Sequence, residues 1–122
     1  MITTTVNASM QLTIHRCQGK VTVADIEKII VDFYEKEPTL NVLWDFSEAD
    51  LSKVTIGEIE QLAKTVNAVS HSRTSGKSAI ISPQDISFGL SRVYQAFAES
   101  GEAKSTTKVF RNEQEALDWM KP

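Results

Sequence analysis

The sequence has one cysteine, Cys17, so no intramolecular disulfide can form, which fits a reducing compartment. It has no cluster of lysines and arginines, and its formal charge is −3 with a pI near 5.4. Nucleic-acid affinity is driven by a basic face that neutralises phosphates, so no nucleic-acid partner is expected. No apolar run approaches the roughly 18 residues of a membrane span. The opening stretch MITTTVNASM has neither the basic start nor the apolar centre of a signal peptide. These absences point to a cytoplasmic protein.

Catalytic signatures are missing as well. His15 and His71 lie far apart and lack the spacing of a metal motif. There is no G-x-S-x-G elbow and no C-x-x-C pair, and Gly76 and Gly89 belong to no phosphate-cradling loop. An enzyme needs a base and a nucleophile that can meet, and the sequence names neither. The expectation is a non-enzymatic protein with no metal and no cofactor.

What is present is an ordinary globular balance, 41% hydrophobic against 24% charged residues, over 122 positions. That length suits one domain, taken as 1–122, and a chain of this size buries roughly two-thirds of its unfolded surface. Ile2 to Val6 is rich in threonine and β-branched residues and reads as an edge strand. From Met10 the pattern alternates, with Met10, Leu12 and Ile14 on one face and Gln11, Thr13 and His15 on the other. This reads as a half-buried strand paired to the first in a hairpin that Gly19 and Lys20 close.

Thr22 and Asp25 form a weak capping box before Ile26, Ile29, Ile30 and Phe33 at helical spacing, and Pro38 marks the end. Leu40 to Phe46 is contiguous in its apolar residues and so reads as a strand covered on both faces. A polar loop from Ser47 to Val54 follows. Thr55 and Glu58 then make a stronger box ahead of the stripe Ile59, Leu62, Ala63, Val66 and Val69. His71 and Arg73 would complement the dipole at that helix's end, and Gly76 would stop it. Ser78 to Ser82 reads as a short parallel strand. Asp85 would cap the next helix, with Ile86, Leu90, Val93 and Phe97 as its buried stripe and Gly101 as its stop. Thr106 to Phe110 is a last strand, and Asn112 with Glu115 opens a final helix. The order β-β-α-β-α-β-α-β-α predicts an α/β fold, a mixed, mostly parallel sheet of about five strands with four helices.

Three stretches carry a resemblance: LWDFSEADLS at Leu43–Ser52, FGLSRVYQAF at Phe88–Phe97, and VFRNEQEALDWM at Val109–Met120. With the order of elements, they make the chain resemble the STAS-type fold of bacterial anti-sigma-factor antagonists, and more closely the SpoIIAA-like group of small bacterial proteins. The resemblance implies a switch residue, a serine or threonine at the start of the helix after the second long strand, usually in an Asp-Ser-Ser-Gly-like context. The matching segment is Val54-Thr55-Ile56-Gly57. Thr55 takes the phosphorylated position and Gly57 is in place, while Val54 and Ile56 replace the aspartate and the second serine. Similarity of the SpoIIAA-like group to CRAL-TRIO-type folds implies instead a carrier of non-polar ligands.

Two functional readings follow. In the first, an apolar or amphiphilic small molecule or lipid binds near the carboxyl ends of the strands. Trp44, Phe46, Ile56 and Phe88 line the site, and Arg92, one turn after Phe88, holds a head group at its mouth. In the second, the chain is a protein–protein regulatory domain whose partner protein is controlled by phosphorylation at Thr55, where a helix N-terminus accepts the added charge. Both accommodate a homodimer, and the first a peripheral membrane contact. The plainer readings are a simple N-cap for Thr55, packing on a neighbouring loop for Phe88 and a surface ion pair for Arg92. The acidic residues Asp45, Glu48 and Asp50 read as a solvated loop rather than a cation site.

Overall fold

The computed structural model describes residues 1–73, 75–100 and 105–121, apart from the side chain of His71. Its elements are β1 (Ile2–Asn7), β2 (Leu12–Lys20), α1 (Val23–Glu35), β3 (Asn41–Asp50), α2 (Ile56–Val69), β4 (Lys77–Ile81), α3 (Asp85–Glu99), β5 (Thr106–Phe110) and α4 (Glu113–Met120), with a 3-10 turn at Ser70–Ser72. The strands form one sheet in the order β1-β2-β3-β4-β5. β1 runs antiparallel to β2 and all other neighbours are parallel, which is the mixed five-strand, four-helix α/β architecture. Among the described residues no helix is long and apolar enough to cross a membrane.

Local chemistry explains most boundaries. The β1–β2 turn is held by Asn7, whose Oδ1 accepts from Ser9 Oγ at 2.8 Å and from the Met10 amide at 3.2 Å. α1 and α2 each begin at a complete capping box, Thr22 with Asp25 and Thr55 with Glu58. Asn112 caps α4 by accepting from the Glu115 amide. α3 starts one residue earlier than expected: Gln84 is its N-cap, and Asp85 is its first residue, paired with Arg111 at 2.9 Å.

Successive side chains of a strand point to opposite faces, and both faces of the central strands are covered. Trp44, Phe46, Ile80 and Val109 meet α1, α2 and α3. Leu43, Ala79, Ile81 and Phe110 meet α4 through Ala116 and Met120.

β3 extends to Asp50 rather than ending at Phe46, because β2 keeps pairing with it beyond an irregularity at Arg16–Gln18. Asp45 and Glu48 therefore lie on a paired strand. Asp45 meets Arg16 at 2.6 Å and Glu48 meets Gln18 at 2.9 Å. The polar side of β2 is not solvated either. Thr13 and His15 are buried, since α1 covers that face.

The buried face of α3 is also turned from the expected one. Ser87, Ser91 and Ala98 are buried, while Ile86 is 67% exposed. Ser91 Oγ lies 2.8 Å from the fully buried Ser82 Oγ at the end of β4, so a serine stripe faces the sheet.

Gly76 does not end α2, which stops at Val69; it precedes β4 with φ +105°. A Cβ there would strike the Leu40 carbonyl oxygen, so the close approach of these two backbones requires glycine. Gly101 as the stop of α3, and the side chain of His71 as a dipole partner, lie outside the described residues.

Candidate functional site

β3 and β4 deliver the chain to one edge of the sheet, where α2 and α3 begin side by side. Carboxyl ends of parallel strands are the usual ligand edge of such sheets. At this edge Thr55 is exposed. Its Oγ1 accepts from the Glu58 amide at 3.2 Å and donates to Glu58 Oε1 at 3.1 Å, and its own amide reaches the same carboxylate oxygen at 3.0 Å. The hydroxyl thus sits at the positive end of a fourteen-residue helix. Beside it Ile56 is 59% exposed, and Ile86 stands in the first turn of the neighbouring helix. Ile56 and Ile86 are thus large apolar side chains left in water in the first turns of two helices that pack on each other.

A second feature lies beneath the helices. Between the sheet and α1, α2 and α3 runs a cavity of about 90 Å³. Near the carboxyl edge its wall is apolar, made by Phe46, Leu51, Val54 and Ile59. Toward the amino ends of β3 and β4 it becomes polar, with Arg73, Tyr34, Ser78 and Tyr94. Trp44 forms the middle of the floor, stacked on Phe46 with ring centres 5.9 Å apart and against His15 at 4.4 Å.

The polar end is built around Arg73, only 6% exposed. Its Nε and Nη2 donate to the Leu40 carbonyl at 3.2 and 2.9 Å, and Nη2 also reaches the Lys77 carbonyl at 3.2 Å. Nη1 donates to Tyr34 Oη at 3.0 Å and Ser78 Oγ at 3.1 Å. Burial pushes the His15 imidazole down to about 4, so it is neutral at pH 7, with Nδ1 against Thr4 Oγ1 at 2.8 Å. Burial raises the Tyr94 phenol well above its ordinary value, and Tyr34 adds to the shift. Cys17, 1% exposed, has its thiol pushed up to about 12, chiefly by burial, and so is not a nucleophile at neutral pH.

Of the residues that sequence reasoning grouped into one apolar site, Trp44 and Phe46 line this cavity together. Ile56, Phe88 and Arg92 do not. Ile56 lies outward at the start of α2, because the capping box directs Ile59 and Leu62 inward instead. Phe88 packs on the core and is covered by the Arg111 guanidinium, 4.1 Å from its ring centre, while that arginine also holds Asp85 and the Pro83 carbonyl. Arg92 is exposed on α3. The arginine inside the cavity is Arg73, at the opposite end of the sheet from the expected mouth. Sequence reasoning placed it at a helix terminus, and only the return of the chain to Leu40 and Lys77 buries it. His15 and Tyr94 were missed as cavity residues because a polar position in an alternating strand, and a tyrosine outside the apolar stripe, both read as surface.

Comparison with known proteins places this geometry. Among curated proteins no sequence relative matches. Two solved structures share the fold over nearly the whole chain. One is described as the anti-sigma factor antagonist SpoIIAA in its unphosphorylated form, at 17% identity and a TM-score of 0.50, covering 98% of this chain and 96% of that one. The other is the Bacillus cell fate determinant SpoIIAA in the phosphorylated form, at 14% identity and a TM-score of 0.52, covering 99% of this chain and 100% of that one. At such identities the likeness is one of fold. It favours the SpoIIAA side of the resemblance and lends no support to the CRAL-TRIO-type carriers. A family model described as SpoIIAA-like matches residues 12–121, from the second strand to the end of the last helix, and on that match the chain belongs to the SpoIIAA-like family.

Proposed function

We propose that the protein is a regulatory protein–protein interaction domain whose partner surface is the carboxyl edge around Thr55. The observation that carries this reading is the exposed Thr55 hydroxyl at the start of α2, flanked by the exposed Ile56, with Ile86 likewise exposed in the first turn of α3. The solved relatives support it by name, as an antagonist of an anti-sigma factor seen with and without phosphate. In the proposed switch a kinase moves the γ-phosphoryl group of a nucleoside triphosphate onto Thr55 Oγ1, and the nucleoside diphosphate and the hydroxyl proton leave. The new group brings about −1.5 to −2 charges to where Glu58 now sits, so that carboxylate must swing out. The helix N-terminus accepts the phosphate in its place. The fold is preserved, but the surface beside Ile56 becomes more negative.

The test compares cross-linked partners of the parent, Ile56→Asp, Thr55→Glu and Thr55→Ala in the native host. One partner lost with Ile56→Asp and Thr55→Glu, and kept with Thr55→Ala, supports the reading. Identical partners for all four overturn it.

A second reading is favoured by the cavity: a small, largely apolar molecule held between the sheet and α1–α3, against Trp44 and Phe46. Native mass spectrometry of protein from its own host tests it. An added mass that leaves on denaturation supports this reading, and a bare polypeptide counts against it.

A further inference from the structure

The cavity has two chemically different ends. The groups that Arg73 meets are two backbone carbonyls, two hydroxyls and the face of Phe33, 6.0 Å from the guanidinium to the ring centre, none of them an anion. Among the described residues it makes no ion pair and no counter-charge is buried with it. Burying an unpaired charge is unfavourable. A hydroxyl that accepts from a guanidinium keeps its own proton to donate. Tyr34 and Ser78 are in that state, and among the described residues neither gives its proton to a protein acceptor. Tyr94 adds a third hydroxyl, in the field of Arg73 and Tyr34. His15, 2% exposed, uses only Nδ1 among the described residues and also lines the cavity, against Trp44. Among the described residues this end is cationic, rich in donors and short of acceptors. The other end, at Phe46, Leu51, Val54 and Ile59, is hydrocarbon.

We infer that the cavity is a site for a small monocarboxylate, its anionic head at Arg73, Tyr34 and Tyr94 and its short apolar body along Trp44 toward Phe46. Charge sets the head: a carboxylate supplies the missing negative charge and accepts the waiting protons. Volume sets the body. About 90 Å³ is smaller than the cavity of roughly 150 Å³ that holds one benzene. A body of a few carbons matches that volume better than a long acyl chain does. This inference rests on the second reading above and adds the class of ligand to it.

The experiment is an NMR titration of the full chain with three probes of one size: sodium butyrate, n-butanol and n-butylammonium chloride. The expected result is saturable binding of butyrate with shifts at the Trp44 indole and around Tyr94, about tenfold tighter than butanol, in line with the gain from a charged acceptor. Butylammonium does not bind. Tyr94→Phe, which keeps the ring and the packing, weakens butyrate several-fold and leaves butanol unchanged. Equal affinity for butyrate and butanol overturns the carboxylate assignment and leaves the apolar-ligand reading standing. No saturable binding of either, or butyrate shifts confined to the surface, overturns both.

Discussion

The two faces of the sheet are packed on different terms. The α4 face is closed by hydrocarbon. Leu12, Leu43, Ala79, Ile81 and Ala116 are at most 1% exposed, and the small Ala79 and Ala116 let helix and sheet meet without a gap. The face under α1, α2 and α3 is larger and looser. It holds Thr13, His15, Arg73, Ser91 and Thr107 as buried polar groups and retains a cavity. One face holds the fold together with dense hydrocarbon packing, and the other keeps chemistry inside it. The difference follows from composition along each strand, since the closed face draws Leu43 and Ile81 where the open face draws Trp44 and Ser78.

The widest separation between the faces should appear on truncation. Leu43→Ala removes a side chain with no exposed surface from the closed face, and we expect a loss of about 4 kcal/mol. Leu62→Ala, on the cavity wall, should cost only about 2 kcal/mol, because atoms beside a void have already lost partners on that side. Denaturant melts that rank the two the other way would contradict the contrast.

Titration separates the faces next, because the buried imidazole belongs to the open one. The folded-state pKa of His15, about 4, lies below its ordinary value of 6.5. The unfolded chain therefore binds the extra proton first as pH falls. The stability due to a neutral His15 is complete above about pH 6.5 and is lost progressively toward pH 4, amounting to about 3 kcal/mol. Chemical denaturation of the parent and of His15→Gln at pH 7.5 and 4.5 checks this. The slope specific to the parent should vanish in the variant.

Added volume should be felt on one side only. Ala116→Leu, into a fully buried position against the sheet, is expected to cost about 2 kcal/mol by overpacking. Ala98→Leu, on the cavity wall, has room to enter and should change the thermal midpoint little. At the edge of the sheet Thr55→Ala removes one cap and should cost about 1 kcal/mol, read as a small shift of the denaturant midpoint.

Much of the closed face could be read before any coordinates. A contiguous apolar run marked β3 as covered on both sides and a short one marked β4 as a parallel strand; on the other face the boxes Thr22–Asp25 and Thr55–Glu58 placed two helix starts to the residue. The open face was hidden because its signals are polar. A serine stripe at 87 and 91 does not register as a core face, yet it packs on the sheet through Ser82. Histidine and threonine alternating with leucine read as a solvated side until a helix is laid over them. Voids leave no periodic signature, since they depend on how far helices stand from a sheet, and this is why Trp44 and Phe46 were legible as a pair while Arg73 was not.

The proposed regulatory reading makes Thr55 a modified switch at a partner edge. The most direct measurement is intact-mass analysis with site mapping of the protein isolated from its own host. The account predicts a form carrying one phosphate, mapped to Thr55 and lost in Thr55→Ala. Phosphate at another residue, or none under any growth condition, would contradict it.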